Sequence, residues 1–293
     1  MVMRFLLASI LVFSSFLSAQ WGWGADDAVE EVNNGAMNYS NGWITATGIG
    51  GISPLAQNPG MARGMAVRAA KIDAMRNLLE TVLALTVTSE TAVRGAAVEN
   101  DVIKTKVKGM VKGARIRDIN EDGRHDTNDF RYLSDTSIEI EMEIHMSGIS
   151  SIVLPPAGYA EASSAAGGTP PAAATSAPAS GSTTGLIIDA RGVGARPAMS
   201  PKIVDQNGGV VYGPSSFTRD YAIKFGVAGY SKDIETAKSD PRVVGNPLIV
   251  RGIGVQGSNG TDIVVANGDA ATIRRAESSG KVLSSCKVMI ILD

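Results

Sequence analysis

Residues 60–95 read GMARGMAVRAAKIDAMRNLLETVLALTVTSETAVRG, and this stretch decides the fold of the first part of the chain. Asn58, Pro59 and Gly60 provide a helix start, and residues 85–88 change to the Thr- and Val-rich composition of a strand. Apolar side chains recur at the three- to four-residue spacing of a helix with one buried face. We expect that face to contain Met65, Ala69, Ile72, Leu79 and Val82. The stretch carries no catalytic group.

Further elements surround this helix. Residues 42–48 have the composition of a strand, and a shorter helix is predicted over 96–106. Two closing strands are predicted over 110–119 and 138–146. In the later one, apolar residues alternate with Glu139, Glu141, Glu143 and His145, which predicts one buried and one solvated face. Arg115 and Arg117 share a face of the earlier strand, so we expect them to lie opposite the glutamates in an antiparallel pair.

Further helices, strands and turns are predicted in the second half of the chain. Residues 267–278 are predicted as a helix, and residues 206–209 and 258–260 have the composition of hairpin turns. Strands are predicted over 185–191, 210–212, 221–227, 248–255, 262–266 and 286–292. The predicted fold class is therefore α+β, with helices on one face of a small antiparallel sheet, repeated as two separate domains.

A change in composition separates these domains. Residues 155–185 are rich in Pro, Ala, Ser and Gly and contain almost no large apolar side chain, so we expect a flexible linker. The predicted organisation is a signal peptide over 1–25, an α+β domain over 42–150, the linker over 155–185 and a second α+β domain over 186–293.

The N-terminus predicts export. Arg4 precedes an apolar run from residue 5 to 17, which is too short to cross a bilayer and typical of a secretory leader. Cleavage could follow Ala19 or fall near Gly24 or Ala25. No later segment is long and apolar enough to span a membrane, so we expect a periplasmic or extracellular protein. The single cysteine, Cys286, lies in an apolar run and is predicted to be a buried thiol rather than part of a disulfide.

An acidic loop has the spacing of a calcium-binding loop. Oxygen-bearing side chains occupy positions one, three, five, nine and twelve, and glycine occupies position six. The residue at position seven would contribute its backbone carbonyl. The candidate calcium ligands are Asp118, Asn120, Asp122, Arg124, Asp126 and Asp129. The alternative is a long acidic hairpin loop without a metal.

Other charged residues favour structural roles. His125 and His145 are the only histidines, which leaves no basis for a Ser/His/Asp set. A basic run extends from Lys104 to Arg117 and could contact an anionic surface, although pairing with the glutamates is the simpler interpretation. The net charge of −2 gives no drive toward nucleic acid.

The motifs of the first domain resemble a known family. The strand ending at Gly48, the helix segment RAAKIDAMRNLLETV, the following LTVTSETAVRG, and the segments VKGMVKGARI and SIEIEMEI are similar to the Lpp-twenty lipoprotein family, which is related to the N-terminal domain of flagellar assembly protein T. The resemblance covers residues 43–147 and implies a bacterial envelope protein with a helix-on-sheet fold and no known enzymatic activity. A lipid-anchored member needs a cysteine after the leader, and here the only cysteine is Cys286.

Together these features predict a non-enzymatic envelope protein that acts by interaction or assembly, in a flagellar or outer-membrane setting, without a cofactor. We expect protein partners in the envelope and homo- or hetero-oligomers. The alternative is a calcium-stabilised extracellular adhesin or matrix component, and an envelope hydrolase is third.

Overall fold

A computed structural model describes residues 21–154 and 183–293. Within them the chain forms two sheets and seven helices, so the α+β class predicted from the sequence is confirmed. The first sheet is antiparallel throughout, in the order β1-β2-β3-β6-β4, with β5 also pairing with β6. Its strands are β1 Val29–Val32, β2 Gly35–Asn38, β3 Trp43–Gly50, β4 Arg115–Ile116, β5 Arg131–Tyr132 and β6 Ile138–His145.

The predicted long helix is α1, Pro59–Ala84, and the Asn58 side chain caps it by accepting a hydrogen bond from the Met61 amide at 2.8 Å. The predicted buried face is wrong by about one residue, since Ala69 is exposed and Ile72 is 70% exposed. The residues that are buried are Ala66, Val67, Ala70, Ala74, Asn77, Leu78, Thr81 and Val82.

Close backbone packing explains this shift. A Cβ added at Gly48 of β3 would lie 2.0 Å from the Ala74 amide nitrogen, and one at Gly50 would lie 1.9 Å from the Ala66 carbonyl oxygen. The helix can approach the sheet this closely only where small side chains meet glycines. The alanines, rather than the larger apolar residues beside them, therefore form the contact.

The region after α1 differs from prediction. In place of one helix over 96–106, the chain forms α2 Val93–Glu99 and α3 Asp101–Lys112, with Asn100 capping α3 through bonds from the Val102 and Ile103 amides. The predicted strand over 110–119 is reduced to β4, because the helical turns continue to Lys112 and Gly113 ends them. The unit closes with α4 Met146–Val153.

The glutamates of β6 are not solvated as predicted. Glu141 is 1% exposed and Glu143 is 6% exposed. Arg115 pairs with Glu143 at 2.7 Å and Arg117 pairs with Glu141 at 2.8 Å, which confirms the predicted cross-strand pairing. Arg131 of β5 adds a second bond to Glu141 at 2.5 Å. The arginines cover the carboxylates, so the face is charged but buried.

The small antiparallel sheet predicted for the second unit is wrong: the sheet has seven strands and is mixed, in the order β10-β13-β7-β11-β12-β8-β9. Pairing is parallel from β10 to β11 and between β12 and β8, because helices and long connections join those strands. Its strands are β7 Leu186–Asp189, β8 Ile203–Asp205, β9 Val210–Tyr212, β10 Gly229–Ser231, β11 Leu248–Gln256, β12 Asp262–Val265 and β13 Val288–Ile291. Both predicted hairpin turns are confirmed, since β8 pairs with β9 and β11 with β12 in antiparallel fashion.

The helices of this unit are α5 Arg219–Phe225, α6 Ile234–Ser239 and α7 Asn267–Gly280. The predicted strand over 221–227 is wrong, because residues 221–225 belong to α5 and Gly226 follows its end. Its alternation of large and small residues resembles a strand pattern, but the left-handed Gly226 (φ 78°) ends a helical turn there. The sequence interpretation also missed β8, β10 and α6, each six residues or shorter.

The two units pack directly on each other. The segment after α1, predicted as a strand, forms only a single bridge between Thr86 and Ala92. Its carbonyls instead accept bonds from the second unit: Thr86 from the Met199 amide at 2.9 Å and Val87 from the Ser200 amide at 2.8 Å. One continuous apolar core includes residues of both units.

Most of the predicted linker, residues 155–182, and most of the predicted signal peptide, residues 1–20, lie outside the described residues. Across the two described stretches, no helix combines the length and the apolar character that crossing a bilayer requires.

Candidate interaction site

A cleft of about 310 Å³ lies between the two units. The first unit contributes residues 39–42, which precede β3, and the first turn of α4. The second contributes residues 223–230, from the last turn of α5 into β10, together with Met199 and Arg242. We call this the inter-unit cleft. Its walls exist only because the two units pack together.

Tyr230 of β10 joins the walls of the cleft. Its hydroxyl donates to the Ala198 carbonyl at 2.7 Å and accepts from the Ala198 amide at 3.0 Å. The ring packs edge-on against Tyr39 of the first unit, with centroids 5.7 Å apart. The Ser40 hydroxyl donates to the Tyr230 carbonyl at 2.7 Å. Burial raises the pKa of Tyr230 well above its ordinary value, so the phenol stays protonated and structural.

Arg242 holds the end of α5 in place. Its guanidinium donates to the carbonyls of Phe225 and Gly226 at the helix C-terminus, and to the Cys286 carbonyl at 3.0 Å. Burial lowers the pKa of Arg242, while Asp240 opposes that shift. Because its donors are engaged by backbone carbonyls, Arg242 acts as a clamp between α5 and the start of β13 rather than as an anion ligand.

Two exposed aromatic residues lie on the helix that Arg242 holds. Tyr221 is 44% exposed and Phe225 is 49% exposed, and their ring centroids are 5.7 Å apart. The Lys224 ammonium lies 5.0 Å from the Phe225 ring centroid, within reach of a cation–π contact. We call Tyr221, Lys224 and Phe225 the aromatic ridge.

The aromatic ridge borders a second cavity, of about 580 Å³. Arg242, Cys286 and Lys287 also line it, and Phe225 and Arg242 line both this cavity and the inter-unit cleft. Exposed aromatic side chains beside a concave surface and a fixed arginine are characteristic of protein-binding sites. The geometry therefore provides a surface on which another chain could bury apolar area.

His145 lies at the edge of the inter-unit cleft and caps α4. Its Nδ1 accepts a bond from the Ser147 amide at 3.2 Å, and its ring packs edge-on against Trp43 with centroids 5.1 Å apart. Loss of solvent around the imidazole lowers its pKa, and the positive charge of Arg115 lowers it further. The protonated ring is therefore less favoured at this position than in free solution.

The predicted calcium ligands lie together in a loop between β4 and β5, which is largely exposed apart from the buried Asp129. Gly123 has a left-handed φ of 80°, as the sharp turn at position six requires. The carboxylates bind amides of their own loop: Asp118 accepts from Gly123 at 2.7 Å, and Asp122 accepts from Arg124 at 2.8 Å. Asn120 donates to the Asn128 carbonyl at 3.0 Å.

The remaining two carboxylates also bind within the loop. Asp126 accepts from the Asn128 amide at 2.7 Å, and Asp129 accepts from the Asp126 amide at 2.9 Å through one oxygen. In residues 21–154 and 183–293, no three His, Cys, Asp or Glu side chains are grouped to hold a metal ion. As placed, the donors do not converge, and the calcium site stays a prediction.

The remaining candidate residues from the sequence analysis lie outside the aromatic ridge or have structural roles. His125 Nδ1 lies 3.0 Å from the Ile116 carbonyl oxygen, far along the chain from His145. Cys286 is buried, as predicted, and burial raises the pKa of its thiol. The basic run divides: its arginines pair with Glu141 and Glu143, whereas the lysines of α3 are exposed.

The sequence interpretation missed the aromatic ridge and Arg242. Tyr221 and Phe225 are four residues apart, the spacing of neighbours on a helix face, and that spacing was the available signal. The same segment also alternates as a strand would, and that pattern predicts a strand instead.

The described chain is thus an α+β protein of two directly packed units. Residues 185–293, the whole of its second unit, match a protein-family model described as the second domain of Treponema pallidum Tp0624. This part of the chain is therefore similar to a bacterial domain. No curated protein matches the chain.

Proposed function

We propose that this chain is a non-enzymatic, exported protein of the bacterial cell envelope that acts by binding other proteins, in the assembly of an envelope or flagellar structure. Three observations support the proposal: the leader-like N-terminus, the similarity of the second unit to a domain of a Treponema pallidum protein, and the aromatic ridge. The resemblance of the first unit to the Lpp-twenty family agrees with it.

The aromatic ridge carries the binding part of the proposal. Tyr221 and Phe225 expose nearly half of their surface although large apolar side chains gain about 1.5–3 kcal/mol each from full burial. Their backbone is fixed, since Arg242 binds the carbonyls at the end of α5. A rigid aromatic pair loses little conformational entropy when a partner covers it, which favours binding.

The polar side chains of the inter-unit cleft are hydrogen-bonded within the protein, which supports binding over catalysis. Tyr230 is bonded at both its donor and its acceptor, and the Ser150 hydroxyl donates to the Met146 carbonyl at 3.1 Å. Arg242 is bonded to three carbonyls. A catalytic group needs a proton or lone pair directed at a substrate. The protons and lone pairs of these three side chains are instead directed at other groups of the protein.

Export and partner binding are tested together in the native organism. Fractionation should place the chain in the periplasm or at the cell surface. A photo-crosslinking amino acid at Tyr221 should then yield a discrete crosslinked product with an envelope protein, which Phe225→Ala abolishes. The matched control places the crosslinker at Tyr132, which is 62% exposed on β5 of the first unit. A cytoplasmic location refutes export, and equal crosslinking from both positions refutes the ridge as the binding surface.

Contact with an anionic surface is a secondary part of the proposal. Lys104, Lys106 and Lys108 are exposed on α3, where they could reach anionic headgroups or cell-wall polymer. Homo- or hetero-oligomer formation belongs to the same proposal, since a ridge of this kind serves equally for a copy of the chain or a different protein.

A calcium-stabilised extracellular adhesin or matrix component is the second candidate. The observation that favours it is Asp129, which is 2% exposed and whose Oδ1 has no hydrogen-bond partner among the described residues. A buried carboxylate oxygen without a partner is costly, and a cation would satisfy it. Calcium would have to draw the loop carboxylates away from the amides that they now bind.

A further inference from the structure

Trp21, the first described residue, is part of the folded protein. It is only 4% exposed, and its ring stacks on Trp23 with centroids 5.8 Å apart. Its carbonyl accepts a hydrogen bond from the Arg117 guanidinium. Truncating a tryptophan buried to this degree to alanine is among the more destabilising core substitutions.

The hydrogen bond from Arg117 to the Trp21 carbonyl also affects a buried ion pair. Arg117 also donates to Glu141, which is 1% exposed, at 2.8 Å. The Trp21 carbonyl therefore helps to satisfy the donors of an arginine that neutralises a buried carboxylate. Without it, that part of the guanidinium loses its acceptor beside a buried ion pair, which is unfavourable.

Residues immediately after Trp21 are fixed as well. The Gly24 amide donates to the Asp27 carboxylate at 3.1 Å, and the Asp26 carbonyl accepts from the Lys232 amide of the second unit at 2.8 Å. The segment from Trp21 to Asp27 thus connects the buried arginine to the interface between the units.

We infer that the leader is removed upstream of Trp21, after Ala19, so that the mature chain begins at Gln20. This inference rests on the proposed export. The sequence alone permits cleavage after Ala19 or near Gly24 or Ala25, since each offers a small residue. The two later positions would remove a buried tryptophan and the acceptor of Arg117, whereas cleavage after Ala19 keeps both.

The direct test expresses the full chain with its own leader in a bacterial host and isolates it from the periplasm. Intact mass and N-terminal sequencing should give a chain that begins at Gln20. An exported chain that begins at Ala25 or Asp26 would overturn the inference while leaving export intact. An uncleaved chain that stays in the cytoplasm would instead refute export, and the processing site with it.

A second experiment separates folding from processing. Two leaderless chains, beginning at Gln20 and at Asp26, are compared by thermal unfolding. The shorter chain should have a Tm lower by about 5 °C or more. Trp21→Ala in the longer chain keeps the carbonyl and should reproduce the part of that loss that the buried ring contributes, even if the shorter chain fails to fold. The matched control is Trp23→Ala, which removes a half-buried ring and should cost less. Equal Tm values for Trp21→Ala and the unaltered chain would overturn the inference.

Discussion

The Ser89 hydroxyl donates to the Asp262 carboxylate at 2.6 Å, and the two side chains are 1% and 7% exposed. Ser89 follows α1 in the first unit, and Asp262 begins β12 in the second. Burial raises the pKa of Asp262, which the hydrogen bond from Ser89 partly offsets. The Ser89 carbonyl also accepts from the Asn259 amide at 2.9 Å. This pair is one of the buried polar contacts that join the two units.

Ser89→Ala should therefore weaken the whole protein by about 1–3 kcal/mol, because it leaves a buried carboxylate without its shortest bond. All three tryptophans lie in the first unit. Urea unfolding followed by tryptophan fluorescence and by circular dichroism should give coincident midpoints, both lowered. Ser278→Ala, at an exposed position of α7, should have no such effect. Separate transitions in the two signals would show that the units unfold independently.

Gly48→Ala should destabilise the first unit by about 3 kcal/mol or more, or prevent folding, because the new methyl group would collide with the backbone of α1. Gly64→Ala is the matched control. Gly64 lies in α1 with open space around it, so alanine there should stabilise the helix by about 1 kcal/mol. Denaturant midpoints measure both changes. A Gly48→Ala variant of normal stability would contradict the close helix–sheet packing.

Arg117→Met should cost roughly 3 kcal/mol, since it leaves Glu141 buried with one cationic partner fewer. Arg76→Met removes an exposed pair with Asp73 and should cost less than about 1 kcal/mol. Combining Arg117→Met with Glu141→Leu should recover much of the lost stability, because no unpaired charge then remains. The free energy of unfolding from urea titrations checks all three, and an unimproved double variant would count against the ion-pair explanation.

Stability should fall as the pH decreases from about 7 to 5. Burial lowers the pKa of His145 in the folded state, so the unfolded chain takes up a proton at a higher pH than the folded chain does. Protonation then favours unfolding, and the stability contributed by the neutral ring is lost as the pH falls toward the folded pKa. His145→Asn keeps a side chain that can cap α4 but removes the imidazole that takes up the proton. The Tm of this variant should depend less on pH, and an unchanged slope would exclude His145 as the cause.

If the acidic loop binds calcium, millimolar Ca²⁺ should raise the Tm, and excess chelator should reverse the increase. Asp122→Ala should abolish the response. Glu121→Gln is the matched control, because it removes one negative charge from the same loop at a position without a predicted ligand. A Tm that is the same in Ca²⁺ and chelator would rule out a calcium-stabilised protein.

The sequence determined those elements whose signal is local. Periodicity and capping predicted α1, and strict alternation predicted β6, since a helix start or a strand face depends on neighbouring residues. The pairing of Arg115 and Arg117 with the glutamates also followed from local spacing and charge. The α+β class could be predicted for the same reason.

Tertiary structure alone decided which faces are buried and where the surfaces meet. The alanine face of α1 is buried because it lies against Gly48 and Gly50, which are distant in sequence. The glutamates of β6 are buried because three arginines cover them. Residues 219–225 form a helix, which Gly226 ends and Arg242 holds in place. The Ser89–Asp262 bond joins residues 173 positions apart, and the inter-unit cleft likewise brings together segments that are distant in sequence. No local pattern specifies such contacts.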